Sequence, residues 1–261
     1  MHSQRTQKFD QNNYIFNPES KYGIYIIHGF SSTTYEVKNI AQHLSNYGYY
    51  VQADNLPGHG TSIDDCNLTT YHEWLSFVEQ GVASMYAKCS KVIVLGVSMG
   101  GVLALHLGTI FPLTGIISAA SLFKFKNEFN VRVLARLFHR FKKHIPKNST
   151  FQPDQLKKIN NEFYGYTHYP LSALNQMRQM VDKIKLRLHK ISVPTLLIHS
   201  KSDQTAIFEN HNLIKKHLQV KKLESLILSN TNHNIFDTSG TEKKQIFDTV
   251  SHFIEQLFIN E

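Results

Sequence analysis

Short, nearly unbroken apolar runs alternate with longer segments of mixed polarity along most of the chain. The runs at 22–28, 49–53, 92–97, 114–119, 195–199 and 225–228 lack the polar positions of a strand with one wet face. They predict strands buried on both faces of a largely parallel sheet. A weaker run at 14–16 predicts an additional edge strand. Segments 35–47, 71–88, 99–110, 209–218 and 241–257 predict the intervening helices. The last opens on Ser239-Gly240-Thr241-Glu242, a capping-box spacing in which Ser239 bonds the helix end and Glu242 reaches back. Strands alternating with helices predict a doubly wound α/β architecture with right-handed crossovers.

The alternation breaks once. From 122 to 190 no strand is expected, only amphipathic helical pieces rich in aromatic and basic residues. Phe123, Phe125, Phe129, Phe138 and Phe141 mark the first piece; Phe151, Phe163, Tyr164, Tyr166 and Tyr169 mark the second. A long strand-free insertion in an α/β protein predicts a cap or lid over the C-terminal edge of the sheet. Singly, these aromatics suit the insertion's own small core; as a group, some are expected to line the cavity beneath it.

Composition narrows the function classes. With 261 residues, 41% of them hydrophobic, the chain is long enough for one sizeable α/β core and is expected to be a single domain over 1–261, with the cap at 122–190 inside it. The formal charge of +8 is spread over many segments, which argues against a nucleic-acid partner. Its densest stretch, with Arg132, Arg136, Arg140, Lys142 and Lys143, reads as a solvated helix face. It also admits attraction to anionic substrates and weak contact with a membrane surface. No apolar run reaches the roughly 18 residues of a membrane span, and the first ten residues lack a secretory apolar stretch. A soluble, cytoplasmic protein is expected. Cys66 and Cys89 then read as buried or bystander thiols. The 15 histidines include no HxxxH or HxH pair, so metal dependence is not expected.

The sharpest chemical signal is Gly96-Val97-Ser98-Met99-Gly100-Gly101, set between the run at 92–95 and the helical segment that follows. A GxSxG in that setting is a nucleophile elbow, with glycines where strand and helix leave no room for side chains. A serine hydroxyl is a poor nucleophile at neutral pH and needs an oriented base. In this arrangement acid and base follow the serine at strand ends. Asp203 stands just past 195–199 and His233 just past 225–228, in that order. His199, His211 and His217 are alternatives by residue type, but their positions at a strand end and on a helix suit core or surface roles. Asp237 is an alternative acid whose place after His233 suits loop fixing.

Two backbone N–H groups must also face the developing oxyanion. One is expected from Met99, next to the nucleophile. The other is expected from Phe30 in His28-Gly29-Phe30, where the chain leaves the first core strand. His28 reads as a brace for this loop rather than as a base.

Together, His28-Gly29-Phe30, Gly58-His59-Gly60-Thr61, the Gly96–Gly101 elbow, Asp203 and Asn232-His233 resemble the bacterial monoacylglycerol lipase and carboxylesterase family over about 22–258. The resemblance implies a cofactor-free α/β-hydrolase fold: a mostly parallel central sheet flanked by helices, with a helical cap inserted after the sixth strand. It implies a serine esterase acting on small-molecule esters or lipid-like substrates of short to medium acyl chain, monoacylglycerols among them. It assigns Ser98, Asp203 and His233 to the catalytic triad and the Phe30 and Met99 amides to the oxyanion hole. Phe30, Met99 and Ile207 are the expected substrate contacts. The stretch Gln204-Thr205-Ala206-Ile207 departs from the hydrophobic, proline-containing sequence common in the family, which bears on the pocket wall there. The same machinery also serves thioester, amide and C–C cleavage, and the same scaffold serves binding proteins that have lost a triad member.

Overall fold

The computed structural model describes residues 4–126, 142–147 and 164–259. Seven strands form the main sheet: β1 (Tyr14–Phe16), β2 (Tyr22–Ile27), β3 (Tyr50–Ala53), β4 (Lys91–Val97), β5 (Gly115–Ala119), β8 (Thr195–Ser200) and β9 (Leu223–Leu228). Their order is β1-β3-β2-β4-β5-β8-β9. Only β1 runs antiparallel to its neighbour, β3; every other pair is parallel. Ile24 to Ile27 are all at most 1% exposed, so successive residues pointing to opposite faces are both covered. The edge strand β9 instead alternates buried with exposed positions over its last residues.

Seven helices are described: α1 (Lys38–Ser45), α2 (Ile63–Leu68), α3 (Tyr71–Tyr86), α4 (Met99–Leu107), α5 (Leu171–Lys185), α6 (Glu209–His217) and α7 (Gly240–Ile259). α1 packs with α7, whereas α3 packs with α4 and α5. Every residue of α4 is buried, and the helix is apolar apart from His106, whose Nε2 lies 2.8 Å from Glu79 Oε1. The helix expected over 35–47 opens as a 3₁₀ turn, Thr34–Val37, before α1. The capping box forms at α3, where the Thr70 hydroxyl and the Glu73 carboxylate satisfy each other's backbone N–H.

Two expectations are corrected. Within 122–190 the structure has a two-stranded antiparallel sheet, β6 (His144–Pro146) with β7 (His168–Pro170). Three-residue strands ending in proline are too short to show a period in sequence. At α7, Glu242 does not cap its own helix. It accepts from Ser229 N–H (2.9 Å), Asn230 N–H (3.1 Å) and the Thr231 hydroxyl (2.5 Å), because the turn leaving β9 presents those donors within its reach.

Counted along this chain, the strand preceding the long segment is the fifth, β5. Phe129, Phe138, Phe141, Phe151, Phe163, Arg132, Arg136 and Arg140 lie outside the described residues. Phe123, Tyr164 and Tyr166 are buried, Phe125 packs against the core, Tyr169 is half-buried, and Lys142 and Lys143 are exposed.

Strand order reverses between β2 and β4: the chain passes from β2 outward to β3, then returns to build β4, β5, β8 and β9 on the other side. Ligands of open α/β sheets sit at the carboxyl ends of strands flanking such a switch point. Both the His28-Gly29-Phe30 loop and the Ser98 turn leave the sheet there. Trp74 on α3 underpins them, fully buried, its indole N–H donating to Pro57 O at 2.9 Å and its rings edge-on to Phe30 and His59. Trp74→Ala is expected to cost about 3–5 kcal/mol of unfolding free energy, measured by denaturant titration.

Candidate active site

Ser98 connects β4 to α4 with φ 57° and ψ −117°, a conformation disfavoured for any residue with a Cβ and costing about 1–3 kcal/mol. Packing on both sides imposes it. A side chain at Gly96 would meet Gly100 O at 2.0 Å, and one at Gly100 would meet Ile27 O at 2.1 Å. Ser98 N–H donates to Ala119 O at 2.9 Å, tying the turn to β5. The hydroxyl is thereby held at the positive end of α4.

Two loops from the far side of the sheet meet it. His233 Nε2 lies 3.0 Å from Ser98 Oγ, and His233 Nδ1 lies 2.7 Å from Asp203 Oδ2. The carboxylate side takes Nδ1–H, which leaves Nε2 free to accept the serine proton. The Asp203 side chain is fully covered, and its other oxygen accepts from Thr205 N–H (2.7 Å) and Ala206 N–H (2.9 Å). Burial works to lower the His233 pKa. The Asp203 carboxylate, by charge and hydrogen bond, and Glu36 outweigh burial and an opposing Lys147, so it stands above its ordinary 6.5.

The loop after β2 is braced by two neutral histidines. Leu56 N–H donates to His28 Nε2 (3.1 Å), and Ser31 N–H donates to His59 Nε2 (3.1 Å). Burial pushes the His28 pKa down to about 4 and that of His59 to about 3, so both remain uncharged acceptors. Phe30 N–H and Met99 N–H donate to no other group among the described residues. Ile207 is half-buried ahead of α6, and its carbonyl accepts from Asn210 N–H at 2.9 Å.

The alternative histidines are occupied elsewhere. His199 is buried, with Nε2 3.5 Å from Ser121 O, and burial lowers its pKa to about 4. His211 Nε2 lies 3.1 Å from Ser225 Oγ, and His217 Nδ1 donates to Leu213 O at 2.7 Å. Asp237 does not reach His233. It gathers Lys8 Nζ (2.7 Å), the Tyr164 hydroxyl (2.5 Å) and Asn39 Nδ2 (3.1 Å), fixing the His233 loop to the N-terminal segment, to Tyr164 and to α1.

Three further residues escaped the sequence reading. Asn210 bridges Phe123 N–H and Lys124 N–H (2.7 and 2.6 Å) to the start of α6, anchoring the chain as it leaves β5. Glu36 and Lys147 are buried charged side chains beside the site. No spacing announces them: Glu36 follows a run of serines and threonines, and Lys147 is one lysine in a basic stretch. Among the described residues, no group of three or more His, Cys, Asp or Glu side chains is placed to hold a metal ion, and no helix is long and apolar enough to cross a membrane. Cys66 and Cys89 are buried free thiols.

Residues 18–239 match the Hydrolase_4 family, described as Serine aminopeptidase, S33. The chain belongs to this family. Similar relatives include the thermostable monoacylglycerol lipase of Bacillus sp. (strain H-257), 26% identical over 81% of this chain and 82% of that one. The carboxylesterase of Bacillus subtilis (strain 168) is 22% identical over 90% and 92%. Among solved structures, one from the study of the metagenome-derived lipolytic enzymes LipS and LipT superposes with a TM-score of 0.83, at 20% identity, over 97% of this chain and 100% of that one. The monoacylglycerol lipase of Paleococcus ferrophilus reaches 0.76 at 16% identity, over 94% and 98%. These superpositions identify the α/β-hydrolase fold.

The Asp237 cluster has a measurable stability. Burial works to raise the Asp237 pKa, but its bonds to Lys8 and Tyr164 hold it below the ordinary 3.8. Its contribution is therefore present above that value and lost as acid protonates the folded carboxyl. Asp237→Ala is expected to lower unfolding free energy at neutral pH by about 1–3 kcal/mol. In denaturant titrations below the ordinary carboxyl pKa, the difference from the parent protein should shrink.

Proposed function

We propose that the protein is a serine carboxylesterase that cleaves carboxylic esters of short to medium acyl chains, monoacylglycerols among them, through an acyl-enzyme on Ser98. The observation that carries this reading is the hydrogen-bonded series Ser98 Oγ, His233, Asp203, with links of 3.0 and 2.7 Å, beside the two unengaged amides of Phe30 and Met99. The names of the curated relatives, a monoacylglycerol lipase and a carboxylesterase, favour an ester over other bonds.

In this mechanism His233 Nε2 takes the Ser98 proton as Oγ attacks the ester carbonyl. The Phe30 and Met99 amides bind the oxyanion; one such donor is typically worth about 10²–10³ in kcat. His233 next protonates the leaving alcohol, and water repeats the sequence on the acyl-enzyme. Asp203 keeps the imidazole oriented and stabilises its charged form. In this reading residues 122–190 are the cap of a single α/β-hydrolase domain. The family description names an aminopeptidase, which supports a second reading in which the same groups cleave an amide.

Hydrolysis of p-nitrophenyl esters of increasing acyl length, run beside Ser98→Ala and His233→Ala, tests the proposal. Each variant should lose on the order of 10⁴–10⁶ in turnover. Full activity in either one would refute the assignment. Absence of ester turnover with Ser98 still labelled by a fluorophosphonate would favour the amide reading.

The pH profile provides an independent check. Only neutral His233 accepts the serine proton, and its pKa is raised, so kcat/KM should fall on acidification with a midpoint above 6.5. A midpoint at or below that value contradicts the arrangement.

A further inference from the structure

Glu36 lies in the 3₁₀ turn after the His28-Gly29-Phe30 loop, yet its side chain folds back beneath that loop and is buried. Gly29 N–H donates to Glu36 Oε2 at 2.7 Å. A methyl group on Gly29 would stand 3.1 Å from both Glu36 Oε2 and Ser98 Cβ, so the carboxyl group and the nucleophile border the same point beside Gly29. The peptide it grips immediately precedes Phe30 N–H. A carboxylate here requires compensation, and Lys147 is at hand. That side chain is 4% exposed, with Nζ donating to Tyr164 O at 3.2 Å and lying 5.4 Å from the centre of the Tyr169 ring.

Resting on the Ser98 reading above, we infer that Glu36 is a positioning residue for acyl transfer. Through Gly29 it fixes where the Phe30 amide points, and with Lys147 it sets the electrostatic field at His233. The charged and titratable groups around this pair come from every neighbouring element. Asp203 after β8, Glu36 after β2 and Lys147 after β6 act on His233, which in turn acts on His199 at the end of β8; His233, Lys147 and the Ser32 hydroxyl act on Glu36, which in turn acts on Tyr164. Burial raises the Glu36 carboxyl above its ordinary 4.5, opposed by the Gly29 amide, His233 and Lys147. Burial also lowers Lys147 to about 7, opposed by Glu36, so the lysine carries its charge below that value and loses it as pH rises through it. A negative Glu36 favours imidazolium and a positive Lys147 disfavours it.

The test is the rate of Ser98 labelling by a fluorophosphonate, measured against pH in the full chain and in Glu36→Ala, Glu36→Gln and Lys147→Met. The label forms a tetrahedral adduct whose oxygen uses the same amides, and it does not depend on which bond the protein cleaves. Glu36→Ala removes the grip on Gly29 and should slow labelling by on the order of 10–10². Glu36→Gln keeps an acceptor for Gly29 N–H and should recover most of that rate, with the acid limb moved to lower pH. Lys147→Met should move the limb the opposite way, to higher pH. A charge-independent structural role would leave both limbs where they are in the parent, and that result would overturn the inference, as would full-rate labelling of Glu36→Ala. A parent protein that takes no label would overturn the Ser98 reading instead.

Discussion

The approach of α4 to the end of β2 controls the active edge of this molecule. Gly100 sits so close to the Ile27 carbonyl that no side chain fits between them, and Gly96 is equally hemmed in by the first turn of the helix. With helix and strand that near, the chain can pass between β4 and α4 only through the strained backbone of Ser98. The strain is tolerable because the turn is locked from several directions: by the Ser98 N–H bond to Ala119, by the wholly buried α4, and by the apolar strands on either side. The same proximity brings the His28-Gly29-Phe30 loop alongside the serine, so one packing constraint produces both the placement of the hydroxyl, which is buried, and its neighbouring amides.

The loops that face this turn are fixed by polar contacts as well as by buried apolar side chains such as Ile235 and Phe236. Glu242 collects the donors of the turn before His233, Asp237 ties the turn after it to Lys8, Tyr164 and Asn39, and Asn210 gathers the chain beyond β5. Each is a side chain pairing with backbone or side-chain donors, and leaving such a group buried and unpaired costs about 1–3 kcal/mol. His28 and His59 do the same for the loop after β2, and their burial keeps them neutral, as an acceptor must be. His233 is the opposite case: similar burial is overridden by the Asp203 carboxylate, and the imidazole is biased toward its charged form. Environment, not residue type, separates a bracing histidine from one poised to take a proton.

Much of this was legible in the chain itself. Strands buried on both faces need continuous apolar residues, so β2, β3, β4, β5 and β8 announce themselves, as do α1, α3, α4, α6 and α7 by their mixed polarity or length. The turn at Ser98 is legible because its steric demand permits only glycine at 96 and 100, a requirement written directly in residue identity. Asp203 and His233 are legible by position, since a chain leaving a strand's carboxyl end must cross that edge of the sheet. These features are local or periodic, and a one-dimensional pattern carries them. What surrounds them is neither. The partner of a polar side chain depends on which segments fold beside it, so Glu242 caps the turn after β9 rather than its own helix, and Asp237 joins residues as distant in sequence as Lys8 and Tyr164. The short β6–β7 pair has too few residues to establish a period. Burial of Glu36 under Gly29, and of Lys147 near it, is decided by the tertiary structure alone, because charge and hydrogen bonding act through space and leave no spacing along the chain.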